Sequence, residues 1–136
     1  MARFPLLDTN IFLRHLRQDH PDFSRRASAY LEAIARGEWT VETSLPVVFE
    51  TVYTLQRFYR EPKAAIRDNL LPLLGLPGIR LPNKHRIRRT FALYVDYNLS
   101  LADAYQAALV LEQGHPALVS FDRNYDRVPG VPRIEP

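Results

Sequence analysis

Along this chain, short apolar runs alternate with segments whose apolar residues recur every three to four positions. No other feature constrains the fold as much. Strands separated by helices cannot pair as tight hairpins, so they form a parallel or mostly parallel sheet covered by helices on both faces. The apolar runs are Ala2 to Leu7, Trp39 to Thr43, Ile79 to Leu81, Ala117 to Phe121 and, as an edge strand after the Pro129-Gly130 turn, Val131 to Ile134. A helix is expected to start after Asp8, and the next starts near Pro21, with Phe23, Ala27, Tyr30, Leu31 and Ile34 at helical spacing, and stops at Gly37. Ser44 is placed to cap a helix running through Val47 to Tyr59. A helix from Pro62 should end or kink near Pro72, because proline lacks the amide that the ladder needs. Lys84 to Tyr97 and Ser100 to Gly114 complete the helical set.

Length sets the scale. The chain has 136 residues and no internal repeat or interdomain linker, so a single domain over residues 1–136 is expected. A hydrophobic fraction of 46% is enough for a packed core and excludes disorder as the main state. The longest charge-free apolar stretch, Leu70 to Ile79, is broken by Pro72, Gly75, Pro77 and Gly78, so no membrane span is expected. The absence of cysteine removes disulfides, thiolate metal sites and cysteine nucleophiles. It fits a cytoplasmic protein, as does an N-terminus that reaches a charge too soon for a signal peptide. Of the 18 basic residues all but Lys63 and Lys84 are arginine, the side chain that forks onto phosphate; a GC-rich genome gives the same bias.

Four of the 15 acids interrupt apolar surroundings. Asp8 follows Phe4-Pro5-Leu6-Leu7, and Glu50 lies between Val47-Val48-Phe49 and Val52-Tyr53. Asp103 stands within Leu101 to Tyr105, and Asp122 ends Ala117 to Phe121. A carboxylate avoids such places unless it is paired or bound. Asp8 and Asp122 fall at the carboxyl ends of expected parallel strands, and right-handed crossovers put those ends on one edge of a sheet. Asp103 and Glu50 fall in the first and second turns of their helices. Elements far apart in sequence are therefore expected to deliver four carboxylates to one pocket. Two carboxylates about 4 Å apart repel by about 4 kcal/mol at an effective dielectric of about 20, so protons or cations must enter. Oxygen-only ligands favour Mg²⁺ or Mn²⁺. Each acid also has a purely structural reading. Asp8 suits an Asx-turn or helix cap, Glu50 a partner for Thr54 or Arg57, Asp103 a capping box with Ser100, and Asp122 the start of a loop with Arg123-Asn124.

These residues stand in motifs. Leu7-Asp8-Thr9-Asn10 resembles the opening motif of PIN domains, and Phe49-Glu50-Thr51-Val52 the second acidic motif. Leu101-Ala102-Asp103-Ala104 with Ala107-Ala108 resembles the third, and Ser120-Phe121-Asp122-Arg123-Asn124-Tyr125 the fourth. The order and spacing agree over essentially the whole chain. Its length and the closing Val128-Pro129-Gly130-Val131 look most like VapC-type toxins of toxin–antitoxin modules. Ser120 replaces a frequent Thr, and Asn124-Tyr125 a frequent Asp-Phe.

The resemblance implies a PIN-like three-layer α/β fold with a central, mostly parallel sheet. It implies an endoribonuclease dependent on Mg²⁺ or Mn²⁺, by two-metal-type attack of water in line on phosphorus. It implies a homodimer held in check by a cognate antitoxin protein. Asp8, Glu50, Asp103 and Asp122 carry over as the metal-organising acids, with Thr9 and Asn10 as hydrogen-bonding neighbours. Asp126 reads as surface or as outer support. Arg14, Arg17 and Arg123, near the acidic motifs, are the candidate RNA phosphate contacts. The basic run Lys84 to Arg89 reads as a solvated helix face with Ile87 turned inward. Leu13, Leu16, Val52, Leu55 and Tyr59 are candidates for an antitoxin groove or for core. The four histidines have no ligand spacing. Two other readings stay open: a Mg²⁺-dependent phosphatase or phosphoacceptor, which would want an acid where Asn10 stands, and a non-catalytic RNA-binding module with a structural metal site.

Overall fold

A computed structural model describes residues 1–136, and the chain divides into two compact units, Met1–Pro82 and Asn83–Pro136. The class is the α/β arrangement that the alternation demands, with six α-helices and parallel strand pairing. No helix is long and apolar enough to cross a membrane.

The first unit contains α1 (Thr9–Arg17), α2 (Pro21–Ala35), β1 (Val41–Glu42), α3 (Leu45–Arg57), α4 (Lys63–Leu74) and β2 (Ile79–Arg80). β1 lies between two parallel neighbours. On one side it pairs with β2, Val41 opposite Ile79; on the other, Leu6 bridges to Glu42. The expected strand at Ala2 to Leu7 is thus reduced to one bridge. Pro5 has no amide to donate and contributes only its carbonyl, which accepts from Glu42 N at 2.8 Å. Leu7 is buried but Leu6 is 68% exposed, so the run is not the buried strand expected. Phe12, Leu31, Ile34, Val41, Leu55, Ile66, Leu70 and Ile79 are fully buried and form the core of this unit. Each contributes about 1.5–3 kcal/mol by leaving water.

Local chemistry sets the helix ends. The His20 ring accepts from Phe23 N at 3.0 Å, and Pro21 takes the first helical position of α2. Ser44 caps α3 as expected, its hydroxyl accepting from Val47 N. α4 runs two residues past the expected stop at Pro72. The proline falls in the last turn, where one missing bond matters little, and buried Leu70 and Leu74 hold the turn down on either side. Gly78 precedes β2 where a Cβ would stand 2.7 Å from Ile34 Cγ2 and 3.0 Å from the Ile34 and Trp39 carbonyls, so no larger residue fits there.

The second unit contains α5 (Lys84–Asp96), α6 (Leu101–Gln113), β3 (Leu118–Val119), a 3-10 turn (Arg123–Arg127) and β4 (Arg133–Ile134). Buried Ile87, Phe91, Leu93 and Tyr94 of α5 and Ala104, Ala107 and Ala108 of α6 form the inner helix faces. The small alanines let the two backbones approach. Ser100 and Gly114 bound α6 as expected, with Ser100 Oγ accepting from Asp103 N at 3.1 Å and Gly114 at φ 67°. β3 and β4 are parallel, with Leu118 opposite Arg133. Ala117 to Phe121 does not form the buried strand expected of it: Val119 is 62% and Phe121 73% exposed. Only two of its residues join a ladder, and alternate side chains therefore turn outward.

Candidate functional site

In the first unit, β1 and the N-terminal segment finish side by side. Leu7 N donates to the Glu42 carbonyl at 2.7 Å, and Thr43 Oγ1 donates to the Leu7 carbonyl at 3.1 Å. α1 then starts at Thr9 and α3 at Leu45, so the beginnings of both helices are fixed near one end of the ladder. Asp8 occupies the N-cap position of α1 but makes no capping hydrogen bond with its carboxylate. Thr9 is buried, and its hydroxyl donates to Glu50 Oε2 at 3.0 Å. Glu50 is thereby held beside the first residue of α1, where the positive end of the helix dipole favours negative charge. It pairs there rather than with Thr54 or Arg57.

In the second unit, Asp103 is fixed twice. Its amide is held by Ser100, and its Oδ1 accepts from the Tyr125 hydroxyl at 3.0 Å. The capping box is therefore half formed: the serine cap is present, but the carboxylate turns to Tyr125. Asp122 caps the 3-10 turn, its Oδ1 accepting from Asn124 N at 2.8 Å, while its own amide donates to Ser120 Oγ at 3.0 Å. That turn carries Tyr125, which is 6% exposed. Burial, the hydrogen bond to Asp103 and the charges of Asp103 and Asp122 all push the Tyr125 phenol well above its ordinary value, so it stays a neutral donor.

The four acids do not lie in apolar surroundings, as their sequence neighbours suggest. Asp8 and Glu50 are exposed, and Asp103 and Asp122 are half-buried. Leu7, Val47, Val48, Val52, Leu101 and Ala104 are buried, while Leu6, Tyr53 and Phe121 are themselves exposed, and all four acids reach water, so little of the burial penalty expected from their neighbours arises. Within neither unit do three Asp, Glu or His side chains gather into a group able to hold a metal ion. Each unit supplies a pair. The donor chemistry still fits a hard divalent cation. Glu50, Asp103 and Asp122 each commit one oxygen to a protein donor, which leaves the second oxygen for a ligand.

The candidate phosphate ligands differ in availability. Arg17 is committed: its guanidinium pairs with Glu61 at 2.6 Å and stacks over the Tyr59 ring at 4.3 Å. Arg123 is exposed. Arg14 reaches Asp19 only at 3.4 Å and, with Asn10, lines a groove of about 470 Å³ between α1 and α2, together with Ile11, Phe23, Arg26, Ala27 and Tyr30. Neither Phe23 nor Tyr30 stands out in the sequence as more than helix core. Of the candidates for an antitoxin groove or for core, Val52 and Leu55 are 1% exposed and belong to the core, while Leu13, Leu16 and Tyr59 are half-buried. Asp126 makes a two-pronged surface pair with Arg133, which holds its carboxyl below the usual range. Arg86, in the basic run, is taken up by Glu112 and Tyr105, while Ile87 is buried as expected. Sequence reasoning gave Tyr125 no role. The one signal for it is a phenol where the motif frequently carries phenylalanine.

The PIN domain family model matches residues 6–131, a span that includes all four acids and extends into both units. No curated protein matches the chain.

Proposed function

Because this chain belongs to the PIN domain family, whose members are generally metal-dependent nucleases, we propose that it is an endoribonuclease dependent on Mg²⁺ or Mn²⁺, and that it serves as the toxin of a toxin–antitoxin pair. The observation that carries the reading is the state of the acids. Asp8, Glu50, Asp103 and Asp122 all lie within the family match, reach water, and present oxygens that no protein donor occupies. We take residues 1–136 as one nuclease domain, since the match runs across the boundary between the compact units.

Asp8 and Glu50 in the first unit, and Asp103 and Asp122 in the second, are the proposed holders of divalent cations. When bound, such a cation lowers the pKa of a water and stabilises the leaving oxygen of a phosphodiester. The rest falls to the chain itself. Thr9 orients Glu50, Tyr125 and Ser100 orient Asp103, and the 3-10 turn orients Asp122. Arg14 and Arg123 draw the RNA backbone by charge, helped by a formal net charge of +3. The toxin reading, with its homodimer and its antitoxin partner, rests on the length and the closing Val128 to Val131 segment.

The test is cleavage of end-labelled RNA by the purified protein with Mn²⁺, with Mg²⁺ and with EDTA. Cleavage that needs the cation, and that Asp8→Asn and Asp103→Asn each abolish in folded protein, supports the reading. Undiminished cleavage in both variants overturns the site. A wild type that binds RNA but never cuts it overturns the enzyme in favour of a binding module. A short upstream reading frame encoding a DNA-binding protein with a flexible tail would support the toxin role.

A further inference from the structure

Asp103 and Asp122 are held by one small device. Asp122 caps the 3-10 turn through Asn124 N at 2.8 Å, and the same turn aims the Tyr125 hydroxyl at Asp103 Oδ1, 3.0 Å away. Tyr125 is buried, so its ring cannot swing aside without opening the turn. A half-buried aspartate otherwise has several side-chain rotamers to choose from, and each choice lost on binding a cation weakens the binding. Here the main chain of Asp103 is fixed by Ser100 and its carboxylate by Tyr125 before any ligand arrives.

From this geometry we infer that Tyr125 is a positioning residue. By donating its hydroxyl hydrogen to Oδ1, it presents Oδ2 of Asp103 to a divalent cation in a fixed direction. The inference rests on the reading of Asp103 as a metal-holding acid. Outer partners that orient a metal ligand typically change affinity by about 10–100-fold when removed. Tyr125→Phe keeps the ring and deletes only the donor. It should weaken the binding of Mn²⁺, the probe ion, about tenfold.

The experiment is Mn²⁺ binding, followed by calorimetry and by electron paramagnetic resonance of the free ion, on wild type, Tyr125→Phe, Asp103→Asn and the double variant. The inference predicts a loss in Tyr125→Phe that disappears in the Asp103→Asn background, because the hydroxyl then has no carboxylate to orient. A tenfold loss that persists in that background would mean that Tyr125 acts through packing, and the inference fails. Wild-type affinity in Tyr125→Phe, alongside weakened Asp103→Asn, also overturns it while leaving the metal reading intact. Unchanged affinity in Asp103→Asn overturns the metal reading itself, and the role of Tyr125 with it. Should Tyr125→Phe fail to fold, carbon-13 resonances of the wild type decide. Mg²⁺ must shift the Tyr125 Cζ signal together with the Asp103 carboxyl signal; a carboxyl shift with Tyr125 unmoved refutes the inference.

Discussion

The two acidic pairs are built differently. In the first unit, Glu50 leans on a single hydroxyl, that of Thr9, and Asp8 stands exposed at a helix start without capping it. In the second unit, Asp103 and Asp122 are tied at both main chain and carboxylate, and a buried tyrosine joins the turn of one to the side chain of the other. On the proposed reading, the second pair would meet a ligand already ordered, whereas in the first Asp8 would be ordered by the ligand and Glu50 only in part beforehand. Order before binding saves side-chain entropy, while a loosely held acid can follow a substrate as charge develops. Carboxylates of the same motif set are therefore not interchangeable parts.

Substitution tests that contrast most strongly. Asp103→Asn and Asp8→Asn should each lower RNA cleavage at least about a hundredfold, since loss of several kcal/mol of charge stabilisation changes a rate by that much. Single-turnover cleavage measures it. Retention of most activity in Asp8→Asn alone would show that only the ordered pair carries the chemistry. Next in size is the contrast between the two supporting hydroxyls. Thr9→Val should weaken Mn²⁺ binding only about twofold, against about tenfold for Tyr125→Phe, because Glu50 is exposed and water replaces its lost donor. Equal losses would mean that the two hydroxyls support their acids alike.

The helix caps extend it to stability. Ser100 Oγ lies 3.1 Å from its amide partner and Ser44 Oγ lies 3.4 Å from its own. Ser100→Ala should therefore cost about 1 kcal/mol in urea unfolding, and Ser44→Ala less. The smallest effect is one of pH and belongs to the first unit. His15, in contact with Ser28 Oγ at 2.7 Å, has its imidazole pKa lowered by burial, which outweighs the opposing charge of Glu32. Unfolding therefore takes up a proton below the ordinary value of 6.5, so stability is full above that pH and falls as pH drops beneath it. His15→Gln should flatten the change in urea midpoint between about pH 7 and pH 5. An unchanged slope would assign the acid sensitivity elsewhere.

Helices and their caps were legible because their causes are local. Ser44, Ser100 and Gly114 act within one turn, and the stripes of α2, α5 and α6 follow from spacing alone. Strands were less legible. Ala2 to Leu7 and Ala117 to Phe121 look buried, yet their burial depends on how many neighbours they pair with, and each joins only a short ladder. Arg17 looks like a phosphate ligand until Glu61 and Tyr59, distant in sequence, enclose its guanidinium.

The α/β class, the helix boundaries near their caps and the family motifs with their four acids are readable along the chain alone. Folding set which atoms Glu50, Asp103 and Asp122 engage. Thr9 and Glu50 stand 41 residues apart, Asp103 and Tyr125 22 apart. A hydrogen bond across such a separation forms only once packing has closed the loop, and no short stretch of sequence encodes that closure.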